Sequence, residues 1–238
     1  MNPIRLFLIL PARLLIYISG WKPLSKNFFE MIERNPRLVG VFCHTSYFDF
    51  VLFLVYTMAY PSLTKIVKSI IKPQPFRYLG WFLRSLGAIP SSKINEHGKG
   101  AVSRIVEEIS KHKKFLLLLS PKGTIVKREW RTGYRWIAEG LECDICVIGA
   151  DFITKRIEIS KVFHNDSELD VDELKREMGK FIPLFPEEEV VPLRAHDPRR
   201  ISAIDWFKFI YHVVGMVVVF YAWNDIILCI FSLGSFMS

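Results

Sequence analysis

Three short, strongly apolar runs, "RLVGVF" (37–42), "FLLLLS" (115–120) and "CDICVIGADF" (143–152), constrain the fold of this chain more than anything else in it. The first two predict buried strands and the third a strand, and the segments between them have helical length and spacing. "SYFDFVLFLVYTMAY" (46–60) predicts a helix that opens after Thr45-Ser46 and ends at Pro61. "TKIVKSII" (64–71) predicts a strand. "FRYLGWFLRSLGAIPSSK" (76–93) predicts a helix leading through Gly87 into a strand or loop. "GKGAVSRIVEEISKHKK" (98–114) and "YRWIAEGLE" (134–142) predict helices, and "RIEISKVF" (156–163) a strand of alternating character. Strands alternating with helices predict an α/β domain with a mostly parallel sheet flanked by helices.

Both ends of the chain differ from this centre. Residues 3–21, "PIRLFLILPARLLIYISGW", are apolar but carry Arg5 and Arg13, which share one arc of a helical wheel with Ala12 and Ser19. That pattern suits a helix lying in a membrane interface, kinked at Pro11. A signal peptide is disfavoured by the missing small-residue cleavage pattern. Residues 204–237 are long enough to span a bilayer, although Asn224 and Asp225 interrupt them. A tilted span, a re-entrant hairpin and a buried hairpin all fit. Between lies a charged stretch with one expected helix, "DVDELKREMGKF" (170–181). The expected organisation is therefore membrane-associating helices in 1–37, a core in 38–165, the rest of the soluble domain in 166–203, and an apolar membrane segment in 204–238.

Composition agrees with a membrane-associated protein. Half of the 238 residues are hydrophobic, and the formal net charge is +8. A basic balance suits anionic lipid, a phosphorylated substrate or nucleic acid. No nucleic-acid-binding motif appears, and the cations are scattered among apolar anchors, so nucleic acid is not an expected partner. Cys143 and Cys146 form a lone C-x-x-C without a second pair or a nearby histidine, which reads as reduced thiols and not as zinc ligands. No metal site is expected.

The run "VFCHTSYFDF" (41–50) sets His44 and Asp49 in apolar sequence. Five residues apart on a regular helix, they would point about 140° apart. They can meet only if His44 precedes the helix and Asp49 lies in its first turn. Ser46-x-x-Asp49 has the spacing of a helix cap, so Asp49 also reads as a capping residue and His44 as a core histidine. The chemical alternative is a general base: a carboxylate fixes the imidazole tautomer, and the other ring nitrogen takes a proton from a hydroxyl. No G-x-S-x-G elbow is present, which disfavours a serine hydrolase.

"HTSYFD" resembles the H-x-x-x-x-D block of the glycerolipid acyltransferases, the family of lysophosphatidic acid (1-acyl-sn-glycerol-3-phosphate) acyltransferases. Three further blocks follow in order over roughly residues 38–160. "YLGWFLRSLGAIPSSK" resembles the second, with Lys93 where the family has a basic residue, usually arginine, for the acceptor's phosphate. "LLLLSPKGT" resembles the third: Pro121, Gly123 and Thr124 match, while Lys122 replaces a glutamate and Ile125 a frequent arginine. "CDICVIGADF" resembles the fourth, with Cys146 in place of its proline. The resemblance implies transfer of a fatty acyl group from a thioester, acyl-CoA or acyl carrier protein, to the hydroxyl of a lysophospholipid, with 1-acylglycerol-3-phosphate expected first. It implies His44 and Asp49 as catalytic residues, Lys93, Lys122, Gly123 and Thr124 as substrate-binding residues, and no cofactor. It implies membrane lipids as partners and an active site on the cytoplasmic side. Lys122 also opens a second possibility, a catalytically impaired lipid-binding protein on the same fold. The sequence carries no signal for the oligomeric state.

Overall fold

A computed structural model describes residues 3–43, 47–73, 76–91, 99–122, 130–164 and 169–183. Residues 1–196 form one compact unit and 197–238 a second; the second, and with it the expected apolar segment 204–238, lies outside the described residues.

The order of elements is α1 (Pro3–Ile18), α2 (Lys26–Arg34), β1 (Arg37–Val41), α3 (Tyr47–Ala59), α4 (Pro61–Ile66), β2 (Val67–Ile71), α5 (Phe76–Ser85), β3 (Ala88–Pro90), α6 (Lys99–Ser110), β4 (Phe115–Leu119), α7 (Gly133–Gly140), β5 (Asp144–Asp151), β6 (Arg156–Phe163) and α8 (Val171–Met178). The strands form one six-stranded sheet in the order β3-β2-β4-β1-β5-β6. All neighbours are parallel except β5 and β6, which form an antiparallel hairpin at one edge. The expected mostly parallel α/β sheet is present.

The central strands are buried on both faces, which is why their sequences are apolar without alternation. Val39, Val41, Leu117, Leu119, Ile145 and Val147 pack on one face with side chains of α6, α7 and α8. Leu38, Leu116, Leu118, Cys146 and Ile148 pack on the other with α1, α2 and α3. Gly40 has no side chain because a Cβ would stand 2.9 Å from Leu118 and 3.2 Å from Leu116. Gly87 turns α5 into β3 at φ +87, where a Cβ would sit 2.4 Å from the Val67 carbonyl oxygen.

One local expectation is corrected. "TKIVKSII" is not one strand: Pro61 opens the short helix α4, whose last residue is Ile66, and only Val67 onward pairs in the sheet. Pro11 lies inside the first helix, which runs as one element from Pro3 to Ile18. Residues of the arc Ala12, Arg13 and Ser19 contact the rest of the protein, although Arg13 is itself exposed. Ala12 is buried against α3, the Arg13 guanidinium donates to the Ala59 carbonyl at 3.1 Å, and Lys155 donates to the Ser19 carbonyl at 2.9 Å. Leu10, Leu14, Tyr17 and Ile18, on the opposite side, are exposed, Tyr17 by 82%. Among the described residues no helix is long and apolar enough to cross a membrane.

Cys143 and Cys146 fall on opposite faces of the sheet, as residues three apart in extended chain must, so their sulfurs cannot share a metal. Burial pushes both thiols up to about 12.

Candidate active site

Register aligns the carboxyl ends of four strands. Val41 pairs with Leu119, so Phe42 stands level with Ser120, and the Phe42 N–H donates to the Leu119 carbonyl at 3.2 Å. Ser69 pairs with Leu118, which puts Ile71 level with Ser120 too, and Ile71 pairs with Pro90. Phe42, Ser120, Ile71 and Pro90 thus form one row across the sheet. The segments carrying His44, Lys93 and the Pro121–Thr124 block all start from that row. With strands about 4.8 Å apart, the Lys93 segment starts roughly 10 Å from the end of β4.

The connections beyond the row diverge. After β1 the chain passes to α3 on one face; after β4 it reaches α7 on the other. Two adjacent parallel strands whose connections leave to opposite faces open a crevice between their carboxyl ends, where α/β folds bind ligands.

Two candidate residues are described at this crevice. Asp49 is the third residue of α3, in its first turn, and is only 3% exposed. The expected strand-turn-helix placement is met: β1 ends at Val41 and the helix begins at Tyr47. A carboxylate in the first turn is favoured by the helix dipole, which offsets part of the cost of burying it. Lys122 lies in the turn after β4 and is 7% exposed. It is an interior cation, in contrast to Arg131, which is exposed. The Arg131 N–H donates to the Pro121 carbonyl at 2.9 Å and closes the base of the segment carrying the third block. His44, Lys93, Gly123 and Thr124 lie outside the described residues. Among the described residues no cluster of His, Cys, Asp and Glu has the make-up of a metal site.

Two side chains at the same place carry more than their motif signalled. The Ser120 hydroxyl is buried at the end of β4 with no hydrogen-bond partner among the described residues. A serine before a proline resembles any turn serine, so only burial distinguishes it. Trp130 likewise has a buried, unpartnered indole N–H. Its ring is held between Lys175 of α8, with Nζ 5.6 Å from the ring centroid, and the edge of Tyr134.

A family model described as Acyltransferase matches residues 26–149, just over half of the chain. That span runs from α2 to β5 and contains the whole row of strand ends. No curated protein and no solved structure matches.

Proposed function

The chain belongs to the acyltransferase family, and from that premise we propose that it moves a fatty acyl group from a thioester to the hydroxyl of a lysophospholipid, 1-acylglycerol-3-phosphate before others. The observation that carries this reading is the burial of Asp49 in the first turn of α3, directly beyond the end of β1 and one strand away from buried Lys122.

In this proposal the His44 imidazole takes the proton of the acceptor hydroxyl as its oxygen attacks the thioester carbonyl. Asp49 orients the ring and stabilises the imidazolium. The tetrahedral oxyanion is met by backbone N–H groups of the turn that includes Gly123 and Thr124, where a glycine lets several N–H groups converge on an anion. Collapse forms the ester, breaks the C–S bond and expels the thiolate, which receives the proton from His44. Lys93 and Lys122 hold the acceptor phosphate, and the residues named suffice without a cofactor. The donor is acyl-CoA or acyl carrier protein.

We also propose that the acceptor is drawn from a membrane on its cytoplasmic side. Helix α1 supports this: Ala12 and Ile16 face the protein while Leu10, Leu14, Tyr17 and Ile18 face outward, so the helix is apolar on its exposed side as well as on its packed one. The test is an acyl-transfer assay on the full chain over a panel of lysolipids, with products identified by mass. A phosphorylated monoacyl acceptor gaining one acyl chain, to give a diacyl product, supports the reading; acylation of neutral monoacylglycerol in preference to it overturns the roles given to Lys93 and Lys122.

A further inference from the structure

The β5–β6 hairpin carries a cavity whose lining shares no residue with the row of strand ends. It has a volume of about 360 Å³ and is lined by Asp151 and Thr154 of the turn, Arg156, Glu158, Ile159 and Ser160 of β6, and Lys180 and Phe181 beyond α8. β5 continues past the level of Val41 to Asp151, so the cavity lies at the far end of that strand, at the sheet's antiparallel edge.

Its chemistry is specific. Among the lining residues the Phe181 ring is the apolar surface on this face, packed so tightly on Gly149 that a Cβ there would lie 2.2 Å from the ring, while the Ile159 side chain packs on the opposite face of the sheet. The wall carries two cations and two carboxylates. One Asp151 oxygen is committed to the turn, accepting from the Ile153 and Thr154 N–H groups at 2.9 and 2.7 Å, which fixes the mouth. Arg156 and Glu158 stand 3.7 Å apart, each about half exposed (50% and 47%), a pair that contributes little to the fold and is open to exchange. Lys180 holds the nearly buried Glu177 at 2.6 Å.

A β-bulge adds the distinctive feature. Val147 pairs with Lys161 and Ile148 with Ile159, which leaves Ser160 unpaired between them. The Ser160 hydroxyl is buried and has no hydrogen-bond partner among the described residues. Bulges re-aim side chains, and this one sets a donor-acceptor group in the cavity wall.

We propose that this cavity binds a group carrying both a phosphate and an ammonium, the chemistry of a zwitterionic phospholipid headgroup. A plain anion would meet as many carboxylates as cations. A zwitterion satisfies both: the phosphate exchanges for Glu158 at Arg156, where a planar guanidinium favours bidentate contact, and accepts from Ser160. The ammonium takes Glu158, close to the Phe181 ring. The site is separate from the proposed reaction centre and does not rest on it.

The test is calorimetric titration of the full-length protein in detergent with O-phosphoethanolamine, ethanolamine, inorganic phosphate, and micelles of lysophosphatidylethanolamine. O-phosphoethanolamine binding at least tenfold tighter than either ethanolamine or phosphate supports the site, as does tight binding of the micellar lipid that Arg156→Ala weakens; the arm that binds in this way names the source. Arg156→Ala should weaken binding at least tenfold. Glu158→Gln should weaken the zwitterion but not phosphate, and Ser160→Ala should weaken it by a few-fold without unfolding. Phosphate binding as tightly as O-phosphoethanolamine, no binding in any arm, or binding indifferent to Arg156→Ala and Glu158→Gln would overturn the proposal.

Discussion

Asp49 has two possible duties, and they separate cleanly on substitution. As the residue that steadies an imidazolium it cannot be replaced by an amide, so Asp49→Asn should lower kcat by about a hundredfold or more while the protein stays folded. As a helix cap alone it would cost about 1 kcal/mol of stability and leave the rate intact. Paired rate and melting measurements distinguish the two. Lys122 poses the complementary question. Its burial at the end of β4 makes it part of the interior wall rather than of the solvated surface. Lys122→Glu should raise KM for a phosphorylated acceptor on the order of tenfold or more, since a hydrogen bond to a charged group contributes about 1.5–3 kcal/mol. The KM for a neutral acceptor should change less. An unchanged KM for the phosphorylated acceptor would show that the Lys122 ammonium does not meet the phosphate.

At the scale of elements, what the sequence made legible follows from burial. β1, β4 and β5 are covered on both faces, so their apolar runs stand out. β6 is harder. "RIEISKVF" alternates only as far as Ser160-Lys161, and Ile157 and Ile159 pack toward α1, α2 and α3 while Phe163 packs on the opposite face. The bulge at Ser160 makes that change of face, and two successive polar residues, Ser160 and Lys161, mark it in the sequence. The α4–β2 boundary was hidden because Ile66 and Val67 suit either element and the choice is made by pairing with β4. The His–Asp spacing was legible as chemistry only through the other three blocks, and Ser120 not at all, because its burial depends on the whole sheet. Two predictions belong here. Cys143 and Cys146, with thiols raised to about 12 by burial, should resist iodoacetamide at pH 8 in the folded protein and react on denaturation, as mapped by mass spectrometry. Labelling of either in the native state would contradict their burial. For α1, Leu14→Glu combined with Tyr17→Glu should leave the melting temperature unchanged and reduce binding to lipid vesicles by tenfold or more. Burying one such side chain is worth about 1.5–3 kcal/mol. Undiminished vesicle binding would remove α1 from the membrane contact.

For the molecule as a whole, the separate features serve one arrangement. A parallel sheet gathers the candidate segments at one row of strand ends, and the connections of β1 and β4 part there to opposite faces. On the α3 side, α1 presents an apolar stripe outward, and the chain's charge of +8 favours an anionic lipid surface. Acyl transfer between two lipid-derived substrates needs this combination: a base partly screened from water, cations for a phosphate, and a face that meets lipid. The central claim is that His44, steadied by Asp49, is the base. It is tested by following consumption of an acyl thioester in the presence of lysophosphatidic acid, with native protein and His44→Ala side by side and folding checked by circular dichroism. The account predicts turnover by the native protein and a loss of at least about a hundredfold in a folded variant; near-native turnover by folded His44→Ala, or none by the native protein with any lysolipid, would contradict it.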